Sequence, residues 1–193
     1  MEWIAGNVAL DFNNTVSWNP EGLQQERLDS PERVLEWLSG AKLISPGDRT
    51  AYAAELREHP RIAAATLERA HELRALLHRL FHAIAVDRTP HVADLASFNE
   101  ALHEALSHMT VRRTGKTFQW QAAAGILTPI VWHAAQLLTS PDLALVGACA
   151  NADCGWLFVD RSRKRNRRWC EMRACGSRAK ARNYYRRKKQ SLK

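Results

Sequence analysis

The four cysteines of this chain lie in its last quarter, and their spacing is the strongest constraint on its fold. Cys149 and Cys154 form one pair, Cys170 and Cys175 form a second, and 15 residues separate the two pairs. Each pair can present two sulfurs from one loop, and the intervening segment can return the chain to the same ion. A segment of this length buries little apolar surface, so a metal or disulfides must fix its shape.

Whether the cysteines bind metal or form disulfides depends on the compartment. The segment Met1–Gly6 lacks the basic region and the apolar run of a secretion signal. No stretch approaches the roughly 18 apolar residues of a membrane span. We therefore expect a cytoplasmic protein with no membrane partner, associated with the nucleoid if it binds DNA. A reducing compartment favours one structural zinc ion per chain over the two alternatives, disulfides and free redox thiols.

The basic charge of the chain is confined to the same region. The whole sequence carries a net charge of +8, whereas residues 149–193 contain 15 Lys or Arg and 3 Asp or Glu. The first 148 residues therefore carry a net charge of −4. Basic residues interleaved with aromatic ones are typical of a nucleic-acid-binding surface. The alternative interpretation is a solvated basic tail over Arg187–Lys193.

The segment between the cysteine pairs predicts a short strand over Gly155–Asp160 and then a basic loop, and a helix follows from Gly176. Phosphate contacts are predicted from eleven side chains of the loop and helix: Arg161, Arg163, Lys164, Arg165, Arg167, Arg168, Arg178, Lys180, Arg182, Arg186 and Arg187. For base reading we favour Arg178 or Arg182, because arginine can donate two hydrogen bonds to guanine. On another helical face, Tyr184 and Tyr185 are expected to pack on Trp156 or Phe158.

The sequence around the cysteines resembles the CGNR zinc finger. The resemblance rests on Cys154-Gly-Trp-Leu-Phe-Val-Asp-Arg-Ser162 and on Arg168-Trp-Cys170, followed by Cys175-Gly-Ser-Arg-Ala-Lys-Ala-Arg182. Ser177 stands where the motif that names the finger has Asn, and it keeps a short polar side chain able to cap the following helix. The finger occurs at the C-terminus of bacterial stress-induced transcription regulators with an N-terminal helical domain. The N-terminal part resembles the same family through Ala9–Val16, Arg27–Glu32, Trp120 and Leu137–Leu138.

This resemblance implies a DNA-binding transcription regulator in which four thiolates hold one structural zinc ion. Four thiolates leave no open position for a catalytic water, and no nucleophile elbow or phosphate-binding glycine loop is present, so we do not expect an enzyme. One alternative is an RNA- or ribosome-associated zinc protein. The other is a small-molecule-binding helical domain with the zinc as a structural clamp. The sequence leaves room for a small-molecule effector and for a homodimer.

The expected fold class is mainly α, with a helical regulatory domain over residues 1–147 and a small four-cysteine zinc-binding α+β module over residues 148–193. Capping signals and amphipathic runs predict helices near residues 31–40, 46–58, 60–86, 95–106 and 127–138, and a short one after Ser140. A β-hairpin is predicted over Val111–Gln121. No Gly- or Ser-rich linker separates the two units, so we expect the module to be docked.

Asp11 and Asn14 are candidate ligand-binding residues near the N-terminus. One hypothesis places them in a pocket for a small polar ligand. The alternative is that they are turn and cap residues that hydrogen-bond to local backbone.

Overall fold

Among the residues that the structure describes, the helical domain has six α-helices and one β-hairpin. A computed structural model describes residues 3–17, 25–122 and 124–190. The helices are α1 (Val8–Asn13), α2 (Pro31–Gly40), α3 (Pro46–Glu58), α4 (Pro60–Ala85), α5 (Val92–Ser107) and α6 (Thr128–Leu138). Strands β1 (Met109–Thr114) and β2 (Thr117–Ala122) form the antiparallel hairpin between α5 and α6.

The C-terminal module begins after a short 3₁₀ helix, Pro141–Leu145. Strands β3 (Val146–Ala148) and β4 (Leu157–Val159) pair antiparallel. A single π-helical turn, Met172–Gly176, leads into α7 (Ser177–Gln190). The mainly α class with a small α+β module is confirmed. The boundary predicted after residue 147 falls within β3.

The helix boundaries follow from the capping residues that the sequence supplies. The Ser30 hydroxyl accepts a hydrogen bond from the Arg33 N–H at the start of α2. Ser45 and Asp48 form a capping box at the start of α3, with 3.1 Å between each side chain and the opposite backbone nitrogen. Proline occupies the first turn of both helices, where no intrahelical N–H is needed.

Helix α1 was missing from the sequence prediction, which had turn and cap residues in this segment. It is six residues long, and Asn7 caps it by accepting a hydrogen bond from the Ala9 N–H at 2.9 Å. Ala9 through Asn13 are all buried. A short helix that is surrounded by protein shows no apolar stripe, so the periodicity on which prediction depends was absent.

The main core extends from the helical domain into the C-terminal module. Leu77, Leu80 and Phe81 of α4 pack in one cluster with Leu10 and Phe12 of α1 and with Trp37 of α2. Leu157 and Val159 of β4 belong to the same cluster and are 0% and 2% exposed. The module is therefore docked through one of its own strands.

Helix α7 lies on the outside of the molecule and has no buried residue. Tyr184 and Tyr185 are 62% and 69% exposed, so the prediction that they pack on Trp156 or Phe158 was wrong. Those two aromatics are covered by other partners. The Trp156 indole donates a hydrogen bond to the Val16 carbonyl at 2.8 Å, and the Arg167 guanidinium lies 4.3 Å from the centre of the Phe158 ring.

Within the described residues, no helix is both long enough and apolar enough to cross a membrane.

The shared core generates a stability prediction for Leu157. Replacing Leu157 by Ala should lower the free energy of unfolding by about 2–5 kcal/mol, because it opens a cavity in the helical core. Urea denaturation followed by the far-ultraviolet helix signal measures this. Leu95→Ala is the matched control, because Leu95 is 46% exposed and should change stability by less than about 1 kcal/mol. An unchanged helix transition in Leu157→Ala would contradict the shared core.

Candidate metal centre and nucleic-acid interface

The four cysteine sulfurs converge at one buried point. All four Sγ atoms lie within 4.8 Å of one another. The Cys154–Cys170 and Cys170–Cys175 Sγ pairs are each 3.6 Å apart. Tetrahedral zinc with Zn–S bonds of about 2.3 Å places its sulfurs about 3.8 Å apart. The distances and the all-sulfur donor set therefore fit one zinc ion held by Cys149, Cys154, Cys170 and Cys175.

Backbone hydrogen bonds bring the two cysteine loops together. The Cys149 N–H donates to the Trp156 carbonyl at 2.8 Å, which continues the β3–β4 ladder to the first ligand. The Ala150 N–H donates to the Arg168 carbonyl at 2.7 Å, which joins the first loop to the chain just before Cys170. Of the second pair, Cys170 precedes the π-helical turn and Cys175 lies on it, and this turn ends where α7 begins. The metal site thus fixes the position of α7 relative to β4.

The chemistry of the cluster also suits a bound cation. Hydrogen bonding to the Cys149 sulfur raises the pKa of Cys154 to about 12 and raises the pKa of Cys170 as well. The thiolate is the form that binds metal, and a divalent ion favours the charge that crowded sulfurs resist. With four ligands filled, zinc has a structural role here.

Two arginines of α7 and one asparagine surround the cluster. The Asn151 Nδ2 donates to the Cys175 Sγ at 3.6 Å, and the Arg178 Nη2 donates to the same sulfur at 3.4 Å. The Arg182 guanidinium donates to the Asn151 Oδ1 and, at 2.9 Å, to the Asp153 Oδ2. Donors of this kind orient the ligands and balance the excess charge of a tetrathiolate site. Arg178 and Arg182, predicted as base readers, are thus engaged within the module.

Asn14 joins the helical domain to β4. Its Nδ2 donates to the Leu157 carbonyl at 2.8 Å, and its Oδ1 accepts from the Leu157 N–H at 3.0 Å. The side-chain amide therefore pairs with the strand as a neighbouring peptide group would. Two residues further along the same edge of the strand, the Val159 N–H donates to the Ala5 carbonyl at 2.7 Å.

Asp11 holds the N-terminal segment that Val159 contacts. It is 7% exposed, and its Oδ1 accepts a hydrogen bond from the Ala5 N–H at 2.9 Å. Asp11 and Asn14, both predicted as candidate ligand-binding residues, thus bond to the protein's own backbone. The partner of Asp11 is six residues away, whereas that of Asn14 lies in a strand 143 residues away, which the alternative of local turn and cap contacts did not predict.

The basic loop between β4 and Cys170 is closed by Asp160. One carboxylate oxygen accepts from the Ser162 N–H at 2.9 Å, and the other accepts from the Arg167 N–H at 2.8 Å. These hydrogen bonds outweigh the effect of burial and lower the pKa of Asp160. Arg165 has a φ of 45°, and its N–H donates to the Ser162 carbonyl at 3.0 Å, which completes the turn.

Two loop arginines face the protein. The Arg167 guanidinium donates to the Ile4 carbonyl at 2.9 Å, to the Trp169 carbonyl at 3.1 Å and to the Cys170 carbonyl. Arg161 donates to the Gly6 carbonyl at 2.7 Å and forms an ion pair with Asp142. Both side chains therefore connect the module to the helical domain, although Arg161 remains 54% exposed.

Most of the remaining predicted contacts lie on the surface. Arg163, Lys164 and Arg165 are exposed at the loop tip, and the Arg168 guanidinium lies 5.4 Å from the centre of the Trp169 ring. On α7, Arg186 contacts Asn183 at 3.3 Å. Lys180 and Arg187 are exposed and share a helical face with Tyr184, because the three are spaced by four and three residues.

Sequence reasoning missed the residues that organise these loops. Asn151 and Asp160 are 1% and 8% exposed, and their side chains bind a ligand sulfur and two backbone N–H groups. Asp160 had a usable signal, because Asp side chains often accept a hydrogen bond from the backbone two residues further on, as Asp160 does from Ser162. Ser177 was predicted to cap α7, but its hydroxyl donates to the Met172 carbonyl at 3.2 Å.

The geometry defines a class of protein, a helical domain joined to a zinc-finger module with a basic surface. The model of the ABATE family, described as "Putative stress-induced transcription regulator", matches residues 6–141. The model of the CGNR zinc finger matches residues 146–188. Since the first match covers more than half of the chain, the protein belongs to the ABATE family and carries a CGNR zinc finger. No curated protein matches the chain.

The metal site generates a prediction of stoichiometry. Protein purified without chelator should contain about one zinc per chain, because four buried sulfurs surround one position. Replacing any one of the four cysteines by Ala should remove most of this zinc. Elemental analysis together with protein quantitation measures it. Ser177→Ala should retain the zinc, and an absence of zinc in the unaltered protein would contradict the assignment.

Asp11 generates a prediction of pH dependence. Burial raises its pKa from 3.8 to about 6, against the opposing effects of the Ala5 and Ile4 N–H groups and of the Arg167 charge. A raised pKa in the folded state gives stability at low pH that is lost as the pH rises from about 4 to about 6. Asp11→Asn keeps the acceptor for Ala5 but does not titrate. The free energy of unfolding of Asp11→Asn, relative to that of the unaltered protein, should therefore increase by about 2–3 kcal/mol as the pH rises from about 4 to about 6.

The measurement is urea denaturation of both proteins at several pH values across this range. Their difference cancels the titration of groups that the two proteins share. Parallel stability profiles would contradict the raised pKa of Asp11.

Proposed function

We propose that the protein is a transcription regulator that binds duplex DNA through its CGNR zinc finger and acts by binding, without catalysis. The helical domain would sense a stress signal and transmit it through the shared strand β4. One observation supports this proposal above all others. Exposed basic side chains lie at the loop tip and on the outer face of α7, which is the face that carries Lys180, Tyr184 and Arg187. Hydrogen bonds within the protein hold both the loop and α7 in position.

The electrostatics of α7 favour a nucleic acid as the partner. Ser177–Gln190 contains seven Lys or Arg and no acidic residue. None of its residues is buried, so packing does not account for the composition. Neutralising phosphates releases condensed counterions, which gives such a surface its affinity. This part of the interface would supply affinity without sequence preference.

Sequence preference would come from α7 if it enters a major groove. The groove is about 12 Å wide and admits one α-helix. The face opposite Arg178 and Arg182 carries Lys180, Tyr184 and Arg187. Arg187 can donate two hydrogen bonds to guanine from this face. We therefore assign base contacts to this face, in place of Arg178 and Arg182, which support the metal site.

A second candidate is binding of unpaired nucleic acid, as in an RNA-associated protein. It is favoured by the exposure of Tyr184 and Tyr185, whose rings lie 5.6 Å apart on a basic helix. Exposed aromatic rings stack on unpaired bases and contribute about 1–3 kcal/mol per base. Tyr184→Ala separates the two, because it should weaken RNA binding strongly and duplex binding weakly.

The proposal predicts the salt dependence of duplex binding. With about five to seven phosphate contacts, the slope of log K against log salt should be roughly −4.5 to −6. Arg163→Ala and Arg165→Ala should each weaken binding to every duplex alike and flatten the slope by about one unit. Arg112→Ala is the matched control, because it removes the same charge from an exposed site on β1 and should leave the slope unchanged. Fluorescence anisotropy over a salt series measures these slopes.

Base contacts by Arg187 predict a loss of affinity that depends on the DNA sequence. Arg187→Ala should cost about 1–3 kcal/mol on a selected preferred site and less on unrelated duplexes. If deleting Arg187–Lys193 abolished most binding to every duplex while the loop variants bound normally, the surface would be a generic polybasic anchor. Preferential binding of structured RNA at matched salt would favour the second candidate.

A further inference from the structure

The β1–β2 hairpin exposes one apolar face, and no residue of either strand is buried. The register places Val111 opposite Trp120, and Phe118 lies two residues from Trp120 on β2, so the three side chains share one face. Their exposed fractions are 58% for Val111, 70% for Phe118 and 54% for Trp120. Large apolar side chains that are exposed together mark an interaction surface.

The outer edge of β2 also has backbone groups available for pairing. The turn between the strands has two residues, and Thr114 and Thr117 pair directly on either side of it. A hairpin of this length begins with a hydrogen-bonded pair, and non-hydrogen-bonded and hydrogen-bonded pairs then alternate along it. The N–H and carbonyl groups of Phe118 and Trp120 therefore point away from β1, and they form no hydrogen bond with any residue that the structure describes. Strand β2 can thus pair with a further antiparallel strand.

The charges of the two strands favour β2 as the edge at which two copies of the chain meet. Strand β2 contains no charged residue, so two copies of it can approach without repulsion. Strand β1 contains Arg112 and Arg113, and pairing β1 with a second copy of itself would place arginines opposite or diagonal to one another. Charged side chains protect an edge strand from pairing, and β2 lacks this protection.

Strand β2 is complementary to itself when a two-fold axis passes through Gln119. In this antiparallel register, Phe118 of each copy lies opposite Trp120 of the other, which forms two aromatic pairs on the apolar face. On the polar face, Gln119 lies opposite its own copy and Thr117 lies opposite Gln121, and these side chains can hydrogen-bond. The outward backbone groups of Phe118 and Trp120 then pair with one another across the axis. An interface of two identical subunits requires this kind of self-complementary patch.

Pairing of this kind would also stabilise the hairpin. Two strands alone are marginally stable in water, and three or more strands with an apolar face are needed for independent stability. Within one chain, the Trp120 ring lies 5.3 Å from the Trp132 ring of α6, which supports one end of the apolar face. Two paired copies of β2 would form one continuous four-stranded sheet.

We propose that the outer edge of β2 is a self-association site through which two copies of this chain form a dimer. Phe and Trp side chains bury about 150–250 Å² each, so four rings and one pair of short strands give an interface at the small end of the specific range. The dimer should therefore be weak, with a dissociation constant of roughly 1–100 μM. The site lies outside the zinc finger and does not rest on DNA binding.

Sedimentation velocity of the full-length zinc-loaded protein without DNA measures this self-association. The unaltered protein should change from monomer to dimer over roughly 1–200 μM. Phe118→Ser should weaken the dimer at least about tenfold, because each dimer loses two apolar rings from its interface. Val92→Ser is the matched control, because Val92 is an apolar residue of α5 that is 76% exposed, and it should leave the association unchanged.

Disulfide cross-linking tests the register. The two copies of Gln119 would form a non-hydrogen-bonded pair with Cα atoms about 4.5 Å apart, which is within the range of a disulfide. Under mild oxidation, Gln119→Cys should therefore form a covalent dimer at least about tenfold faster than Gln121→Cys. Gln121 is the matched position, because it lies on the same face of β2 but opposite Thr117 of the second copy. Non-reducing electrophoresis measures both rates.

Three results would overturn the proposal. They are a monomer at every concentration, self-association that Phe118→Ser leaves unchanged, and cross-linking that is equal or absent at positions 119 and 121. If the β2 edge instead binds a strand of a different protein, the purified chain stays monomeric, which is the first of these results. Because none of these measurements uses DNA, their failure leaves the proposed DNA-binding function standing.

Discussion

The pairing of Asn14 with strand β4 is the interaction on which the arrangement of the molecule depends. Leu157 offers one N–H and one carbonyl towards α1, and the Asn14 amide satisfies both. Buried backbone groups without partners would cost about as much as lost hydrogen bonds, so the contact specifies where the strand docks. Once β4 is fixed, its neighbours Asp160 and Trp156 position the basic loop and the first cysteine pair.

The basic residues of the finger divide into two groups with different physical roles. Arg161 and Arg167 bind carbonyl groups of the N-terminal segment, and Arg178 and Arg182 bind the loop and sulfur around the metal. Arginine suits this role because its planar group donates in several fixed directions. The exposed group at the loop tip and on the outer face of α7 is then free to meet phosphates. Preorganisation of this kind lowers the entropy lost on binding.

Much of the fold could be predicted from local signals. Ser30-Pro31 and Ser45-Pro46 mark helix starts by a mechanism that needs no tertiary contact, and α2 and α3 begin there. The four zinc ligands could also be predicted from the sequence, because their spacing carries the information. The roles of the arginines could not be predicted. Arg167 and Arg163 look alike in sequence and differ only in what lies beside them after folding. Asn14 and Asp11 were ambiguous for the same reason, because their partners lie in segments that only the tertiary structure brings together.

We infer that the metal site and the helical core form one cooperative unit through β4. Urea unfolding of the full-length protein, with and without a zinc chelator, tests it most directly when helix content and tryptophan fluorescence are followed together. Zinc removal should shift both transitions to lower urea, because β4 loses the support of the metal-bound loops while its Leu157 and Val159 remain part of the core. A helix transition that keeps its midpoint after zinc removal would contradict the claim and show that the two units unfold independently.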